Sequence, residues 1–342
     1  MMAAPAIATP APAAARAVYP KAVFSPDGPS GIGLAKTGPK VIASPVLFAR
    51  ALKSRYWTNT PEGMEYRGCF YELPKGTFVD SIHDKFILPS GATQHVSACP
   101  YPTIVRSRAS VPARHAAADL NPDSQQPAAS LNPDSWLISS WWTSPTWLAD
   151  LYVDYAVPTA PSVYIGQGDF LFSSFENAAG NSIIQPVLGY GLIQGNSGAT
   201  LGGKYLWILS YYYWSGNVAV LGGPVKVSPA DSIESSLIAA GCNTSGTDCD
   251  WRITTTDENS GEYSQEDIGS DPAYTIANSG VLETDASGCD QLFANGHGVF
   301  RHIAIYNSTG AEVTPSWTID NEYQCSMTEP TTATSADILY TP

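Results

Sequence analysis

From residue 136 onward the chain is cut into short apolar or alternating runs, at 136–142, 151–157, 170–175, 182–192, 205–214, 218–227, 233–239, 251–256, 277–283 and 298–306. Each is bounded by Gly, Pro, Asn or Asp, and a helical period of 3.6 residues is almost absent. Runs of this length with turn residues between them are strands, and ten of them in series predict an antiparallel all-β domain, a sandwich or jelly roll. The 207 residues from 136 to 342 suffice for two packed sheets. Composition agrees: 29 Gly, 27 Pro and only 14% charged residues describe a turn-rich globular chain and exclude long helices, coiled coils and a disordered polymer.

The 342-residue length suggests two parts, and charge divides them. Residues 1–115 carry 13 basic and 6 acidic side chains, a charge of +7, and residues 116–342 carry 4 basic and 25 acidic, a charge of −21. The basic residues stand singly, with no run of five, so a nucleic-acid-binding arm is not indicated. The two parts are expected to attract each other while the carboxylates are ionised. Residues 1–115 contain a few strand-like runs (40–49, 66–73, 85–88) and one short helical stretch around 46–55. Residues 116–135 read as a linker, because Leu120-Asn-Pro-Asp-Ser and Leu131-Asn-Pro-Asp-Ser are turn sequences flanking Gln-Gln-Pro-Ala-Ala. Residues 136–342 form the β domain.

Six cysteines, Cys69, Cys99, Cys242, Cys249, Cys289 and Cys325, are even in number and form no Cys-x-x-Cys pair. They can pair in fifteen ways; pairing sequence neighbours gives Cys69 with Cys99, Cys242 with Cys249 and Cys289 with Cys325. Two sequons, at Asn243 and Asn307, lie in Gly/Ser-rich stretches that read as surface loops. With the acidic, Lys-poor composition these features favour an oxidising, extracellular setting. Prolines interrupt the Ala-rich N-terminus, so no signal peptide is legible there, and no apolar stretch reaches the roughly 18 residues of a membrane span. Neither nucleic acid nor membrane is therefore expected as a partner.

The usual catalytic signatures fail. Gly195-Asn-Ser-Gly-Ala199 lacks the last glycine of a nucleophile elbow, and no zinc-protease, phosphate-loop or aspartic-protease motif is present. The acidic part has two histidines, His297 and His302, on an alternating strand, which speaks against a Ser-His or Cys-His hydrolase. No metal-ligand cluster is visible, so neither a metal nor a cofactor is expected. What remains for chemistry is carboxylate, amide and aromatic.

Three stretches carry a resemblance: residues 170–188, with Ser-Ile183-Ile184-Gln185-Pro-Val-Leu at their end, then Val225-Lys-Val-Ser-Pro-Ala-Asp-Ser-Ile233, then Ala277-Asn-Ser-Gly-Val-Leu-Glu283-Thr-Asp. They resemble the eqolisin family of glutamic peptidases over roughly residues 136–310. The resemblance implies a concanavalin-like two-sheet sandwich, acid endopeptidase activity on polypeptides, no cofactor, and a dyad of Gln185 and Glu283. Peptide hydrolysis needs a base for water and a donor for the oxyanion. Glu283 would act as base and then acid, and the Gln185 amide as oxyanion donor. The family's Trp and acid in the strand before the Gln are represented by aromatic residues such as Phe172 and by Glu176; with Trp141, Trp142 and Trp207 these are the expected substrate-binding residues. The +7 segment would then be an inhibitory propeptide, released when acid protonates its partner carboxylates. Two other readings stay open: a jelly-roll glycoside hydrolase using Glu176 and Glu283 as paired carboxylates, and a non-catalytic carbohydrate- or protein-binding sandwich.

Overall fold

The computed structural model describes residues 41–51, 54, 56–61, 63–105, 135–180, 182–195, 200–214, 218–243, 249–271, 273–321 and 324–342. The N-terminal part contributes β1 (Val41–Ala43), α1 (Pro45–Ala51), β2 (Trp57–Thr60), β3 (Gly63–Tyr66), β4 (Phe70–Glu72), β5 (Phe78–Asp80), β6 (Lys85–Ile87), β7 (Thr93–His95) and β8 (Thr103–Val105). The remainder contributes β9 (Ser135–Thr143), β10 (Leu148–Ala156), β11 (Asp169–Glu176), β12 (Ile183–Gln194), β13 (Thr200–Trp214), β14 (Val218–Leu221), β15 (Val225–Val227) and β16 (Ser232–Cys242). It continues through β17 (Cys249–Asp257), β18 (Tyr263–Asp271), β19 (Ile276–Thr284), β20 (His297–Asn307), β21 (Glu312–Val313), β22 (Thr318–Asn321), β23 (Thr331–Thr332) and β24 (Ser335–Leu339). Every run expected to be a strand after residue 136 coincides with one or more of these.

Among the described residues the strands form three sheets. The nine-stranded sheet runs β22-β9-β19-β11-β12-β13-β14-β4, with β15 beside β13, and the eleven-stranded sheet runs β23-β24-β20-β10-β16-β17-β18-β5-β6-β7, with β21 beside β20. A small sheet, β1-β8-β3-β2, stands apart. Burial explains the layering. In the eleven-stranded sheet β17 alternates strictly, with Cys249, Trp251, Ile253, Thr255 and Asp257 inside, as expected for a sheet with one wet face. In the nine-stranded sheet β11, β14 and β19 are buried at every position, so this sheet is covered on both faces.

The first face packs on the eleven-stranded sheet through one core that includes Leu171, Phe175, Ile184, Leu188, Tyr212 and Leu282 from one side and Trp251, Ile253, Phe300 and Ile305 from the other. The second face carries a separate apolar group, Phe170, Phe172, Val187, Trp207, Leu209, Tyr211 and Val281, joined by Phe70 of the N-terminal part. Residues close in sequence alternate between the two clusters, as the two-residue period of a strand requires.

The N-terminal part contributes to both sheets and to the cover of the second face. Strand β4 pairs in parallel with β14, and β5 pairs in parallel with β18 and carries β6 and β7 beyond it. Leu73, Val79, Phe86 and Val96 lie in the main core, and the Lys75 ammonium sits 3.2 Å from the centre of the Tyr263 ring. Residues 70–96 are therefore built into the sandwich, whereas β1, α1, β2, β3 and β8 surround their own small core of Ala51, Trp57, Met64, Tyr66, Tyr101 and Ile104. The expected linker, 116–135, lies outside the described residues except for Ser135. The disulfides join Cys69–Cys99, Cys242–Cys249 and Cys289–Cys325, the neighbour pairing. No helix among the described residues is long and apolar enough to cross a membrane.

Candidate active site

The second face of the nine-stranded sheet holds the candidate catalytic side chains, and strand register fixes their positions. Phe172 stands opposite Val187 and Phe175 opposite Ile184, which sets Gln185 beside Ser174. Ser174 stands opposite Asn278 on its other side, Gln185 faces Tyr211, and Asn278 faces Trp141. One row across the sheet thus reads Trp141, Asn278, Ser174, Gln185, Tyr211. Ala277, Phe175, Ile184 and Tyr212 flank this row in sequence and all belong to the inter-sheet core, so the row itself points to the opposite face. Glu176 is two residues on from Ser174 and opposite Ile183; it lies on the same face, one row along.

These groups are buried and bonded to one another. Gln185 and Asn278 are fully buried and Glu176 is 1% exposed. Asn278 Nδ2 donates to Ser174 Oγ at 2.8 Å and to Glu176 Oε1 at 2.9 Å. A carboxylate inside a sheet needs such donors, because an ionised group removed from water is otherwise strongly disfavoured.

Glu283 also lies on this face but at another place. It stands opposite Phe170 on one side and Trp136 on the other, four residues along β11 from Ser174 and two strands from Gln185. With strands about 4.8 Å apart and about 3.3 Å per residue, the Gln185 and Glu283 backbones are ~16 Å apart. The two residues share the face, with β11 between their strands and four residues of register between their rows. Glu283, on β19 opposite Phe170, stands six β11 positions from Glu176, ~20 Å at the backbone, a wide separation for paired glycosidase carboxylates, whose carboxyl groups lie roughly 5–9.5 Å apart.

The aromatic residues divide. Phe172 and Trp207 line the second face: the Trp136 and Phe172 rings meet edge-on at 5.5 Å, and Phe170 packs on Trp207 at 6.1 Å. Trp207 is held by donation from Nε1 to the Gly191 carbonyl at 3.0 Å and lies over Gly189, where a Cβ would stand 2.1 Å from its ring. Trp141 shares the face. Trp142 does not: it stands opposite Ala277 and packs against the inter-sheet core, because neighbours on a strand point to opposite sides.

Three buried acidic groups were not singled out as site residues from the sequence. Asp169 is fully buried, accepts from Thr284 Oγ1 at 2.5 Å, and its carboxyl is raised well above the usual range by burial. Asp285, one residue beyond β19, accepts from the Gly168 amide at 2.5 Å, and burial pushes it up to about 7. In the sandwich interior Glu329 accepts from Ser140 Oγ at 2.5 Å and is pushed up to about 8 by burial, with Ser279 on the same hydroxyl. No local motif marks a buried acid; only its tertiary surroundings do. Among the described residues no group of three or more His, Cys, Asp or Glu could hold a metal.

The N-terminal layer closes this face. Every described residue of β2 and β3 is buried, Asn59 Nδ2 abuts Gly168 so closely that a Cβ there would lie 2.4 Å from it, and Arg67 Nη2 donates to the Gly195 carbonyl at 3.4 Å. Phe70 packs on Tyr211 with ring centres 6.2 Å apart. Of the expected glycosylation sites, Asn243 is exposed, and Asn307 holds a turn through Oδ1, which accepts from the Thr309 amide at 2.9 Å.

No protein-family model and no curated protein sequence matches the chain. Among solved structures it is similar to a scytalido-glutamic peptidase with a peptide-based transition-state analogue, at 14% identity and a TM-score of 0.43 over 59% of this chain and 96% of that one. It is also similar to SCP-B, a member of the eqolisin family of peptidases, in complex with the tripeptide Ala-Ile-His, at 13% identity and a TM-score of 0.41 over 59% and 96%.

Proposed function

We propose that this protein is an acid endopeptidase that hydrolyses polypeptides by water attack, with Gln185 and a glutamate of the same sheet face as its working groups, and that it is made as a secreted, glycosylated precursor. The observation that carries the reading is one face of the nine-stranded sheet, left free by the inter-sheet core, which holds Gln185, Glu176 and Glu283 among aromatic side chains. It agrees with the motifs that resemble glutamic peptidases. The Gln185 amide supplies N–H donors to the oxyanion, and a carboxylate takes the water proton and passes it to the leaving amine. The cycle needs no metal. Because the departing amine must receive a proton from a carboxylic acid, activity belongs to acid pH. The Glu176 to Glu283 spacing counts against the glycosidase alternative.

The buried state of the face supports the precursor reading: substrate has no access while β2, β3 and Phe70 cover it. Digestion of an acid-denatured protein at about pH 3.5, with pepstatin present, tests the activity. Proteolysis supports the reading. A full chain that stays inert there after acidification, and yet binds a glycan array, would establish the binding-module alternative instead. For the precursor, the full chain should be intact at pH 7 and processed on acidification; survival at pH 3.5 alongside an active separated domain would count against autoactivation.

A further inference from the structure

Resting on the reading of the second face as the working face, we propose that the inhibitory element is a hinged lid formed by β1, α1, β2, β3 and β8. It uncovers the face by swinging on the Cys69–Cys99 bridge while residues 70–96 stay in the sandwich. Packing divides the N-terminal part into two bodies. Residues 70–96 lend strands to both large sheets and place Leu73, Val79 and Phe86 in the main core. The lid has a four-stranded sheet of its own, and among the described residues none of its strands pairs with a sandwich strand. Its core of Ala51, Trp57, Met64, Tyr66, Tyr101 and Ile104 joins neither of the two sandwich cores. An element that shares neither ladder nor core with its neighbour opens before one that shares both.

The lid meets the face through side chains. Asn59, 8% exposed, presses Nδ2 on Gly168, where a Cβ would stand 2.4 Å away, and this donor finds no acceptor within the protein. Behind the same glycine, Asp285 accepts the Gly168 amide at Oδ1 and keeps Oδ2 buried without a partner. A buried polar atom left unpaired is costly, and water satisfies it once the contact opens. The junction at Gly168 therefore favours release. The chain passes between the two bodies twice, out of the lid at Arg67–Cys69 and back into it before Tyr101. The disulfide ties these crossings together, with Cα atoms 5.5 Å apart. Ser97, Ala98 and Pro100 are exposed, so rotation there disturbs no core, and a few such residues suffice to absorb the φ/ψ change of a hinge. Beyond β8 the chain continues into residues 106–134. Cleavage there unlocks the lid without removing it.

The test uses the full chain with a protease site between residues 106 and 134, intact and cut at pH 7, and reads side-chain oxidation by hydroxyl radicals. Trp207 is the reporter, 1% exposed on the second face and packed on Phe170, whose ring lies beside Gly168. Trp251, equally buried in the inter-sheet core, is the control, and Phe86 reports whether residues 70–96 stay in place. Cleavage should raise Trp207 oxidation by about tenfold and leave Trp251 and Phe86 at the level of the intact chain. Joining lid to face by a disulfide, through Asn59→Cys with Gly168→Cys, should cancel the rise; if that variant misfolds, the comparison of intact with cut chain decides alone. No rise at Trp207 would overturn the lid, because the layer is then fixed. A matching rise at Phe86 would overturn it too, because the whole N-terminal part then detaches. Activity is not read, so a cut chain that labels as expected and hydrolyses no protein keeps the lid and overturns the peptidase reading.

Discussion

Asn278 Nδ2 donates to Glu176 Oε1 at 2.9 Å across the β19–β11 pair, and the same amide nitrogen holds Ser174 Oγ at 2.8 Å. Asn278 thereby ties two positions of one strand from the next. Gln185 stands on the far side of Ser174, so an amide, a hydroxyl, a second amide and a carboxylate share one buried patch of a sheet otherwise filled with aromatic rings. Four stability and assembly outcomes follow from the surrounding packing.

Residues 70–96 are expected to remain with the sandwich after the chain is cut. β4 and β5 each pair with a sandwich strand, and Val79 and Phe86 are fully buried in the main core; the Cys69–Cys99 bridge lies wholly within the N-terminal part. With a protease site engineered between residues 106 and 134, cleavage at pH 7 should give two chains that co-elute in size exclusion. Separate elution under native conditions would show that the packing is dispensable.

Phe86→Ala should destabilise the full chain by about 3–5 kcal/mol, the usual cost of emptying a buried phenylalanine site. Urea denaturation at pH 5 measures it. A cost below about 1 kcal/mol would mean that β6 packs only loosely on the sandwich.

Stability should fall as pH rises from about 4 to 8. Asp285 and Glu329 have folded-state carboxyls raised to about 7 and about 8. The unfolded chain therefore releases these protons at lower pH than the folded one. The stabilisation is complete below the unfolded values and is lost as pH climbs through the folded ones, at about 1.4 kcal/mol per unit per group. Melting temperatures at pH 4, 6 and 8 should decline in that order. Glu329→Gln, which keeps the acceptor for Ser140, should flatten the decline.

Gly189→Ala should cost roughly 1–3 kcal/mol and displace Trp207, because the added Cβ would stand 2.1 Å from a ring with no room to retreat. Tryptophan fluorescence and a thermal melt report both effects. An unchanged spectrum with unchanged stability would show that the ring is free to move.

The strands were legible in the sequence because their cause is local. The run expected at 251–256 lies within β17, whose alternate residues are buried, and turn residues ended the runs where strands end. The disulfide pairing of sequence neighbours also matched the structure. Gln185 was singled out by its place in a short motif, and its face followed from the two-residue period. Trp142 was misplaced because a pair of adjacent tryptophans does not say which one points inward; its partner Ala277 decides that.

By itself, then, the amino-acid sequence determined the fold class, the order of the strands after residue 136, and a set of polar residues with no histidine or cysteine chemistry among them. Only the tertiary structure decided that Gln185, Ser174 and Asn278 share one row of the sheet, that β4 to β7 extend both sheets, and that Asp285 and Glu329 are buried, which raises their carboxyls. The division has a physical cause. A strand's pattern is written in a few consecutive residues, whereas register comes from many weak contacts between distant segments. The irregularity between Phe172 and Ser174 in the β11–β19 ladder, which brings Asn278 and not Ser279 opposite Ser174, has no signature within either strand alone.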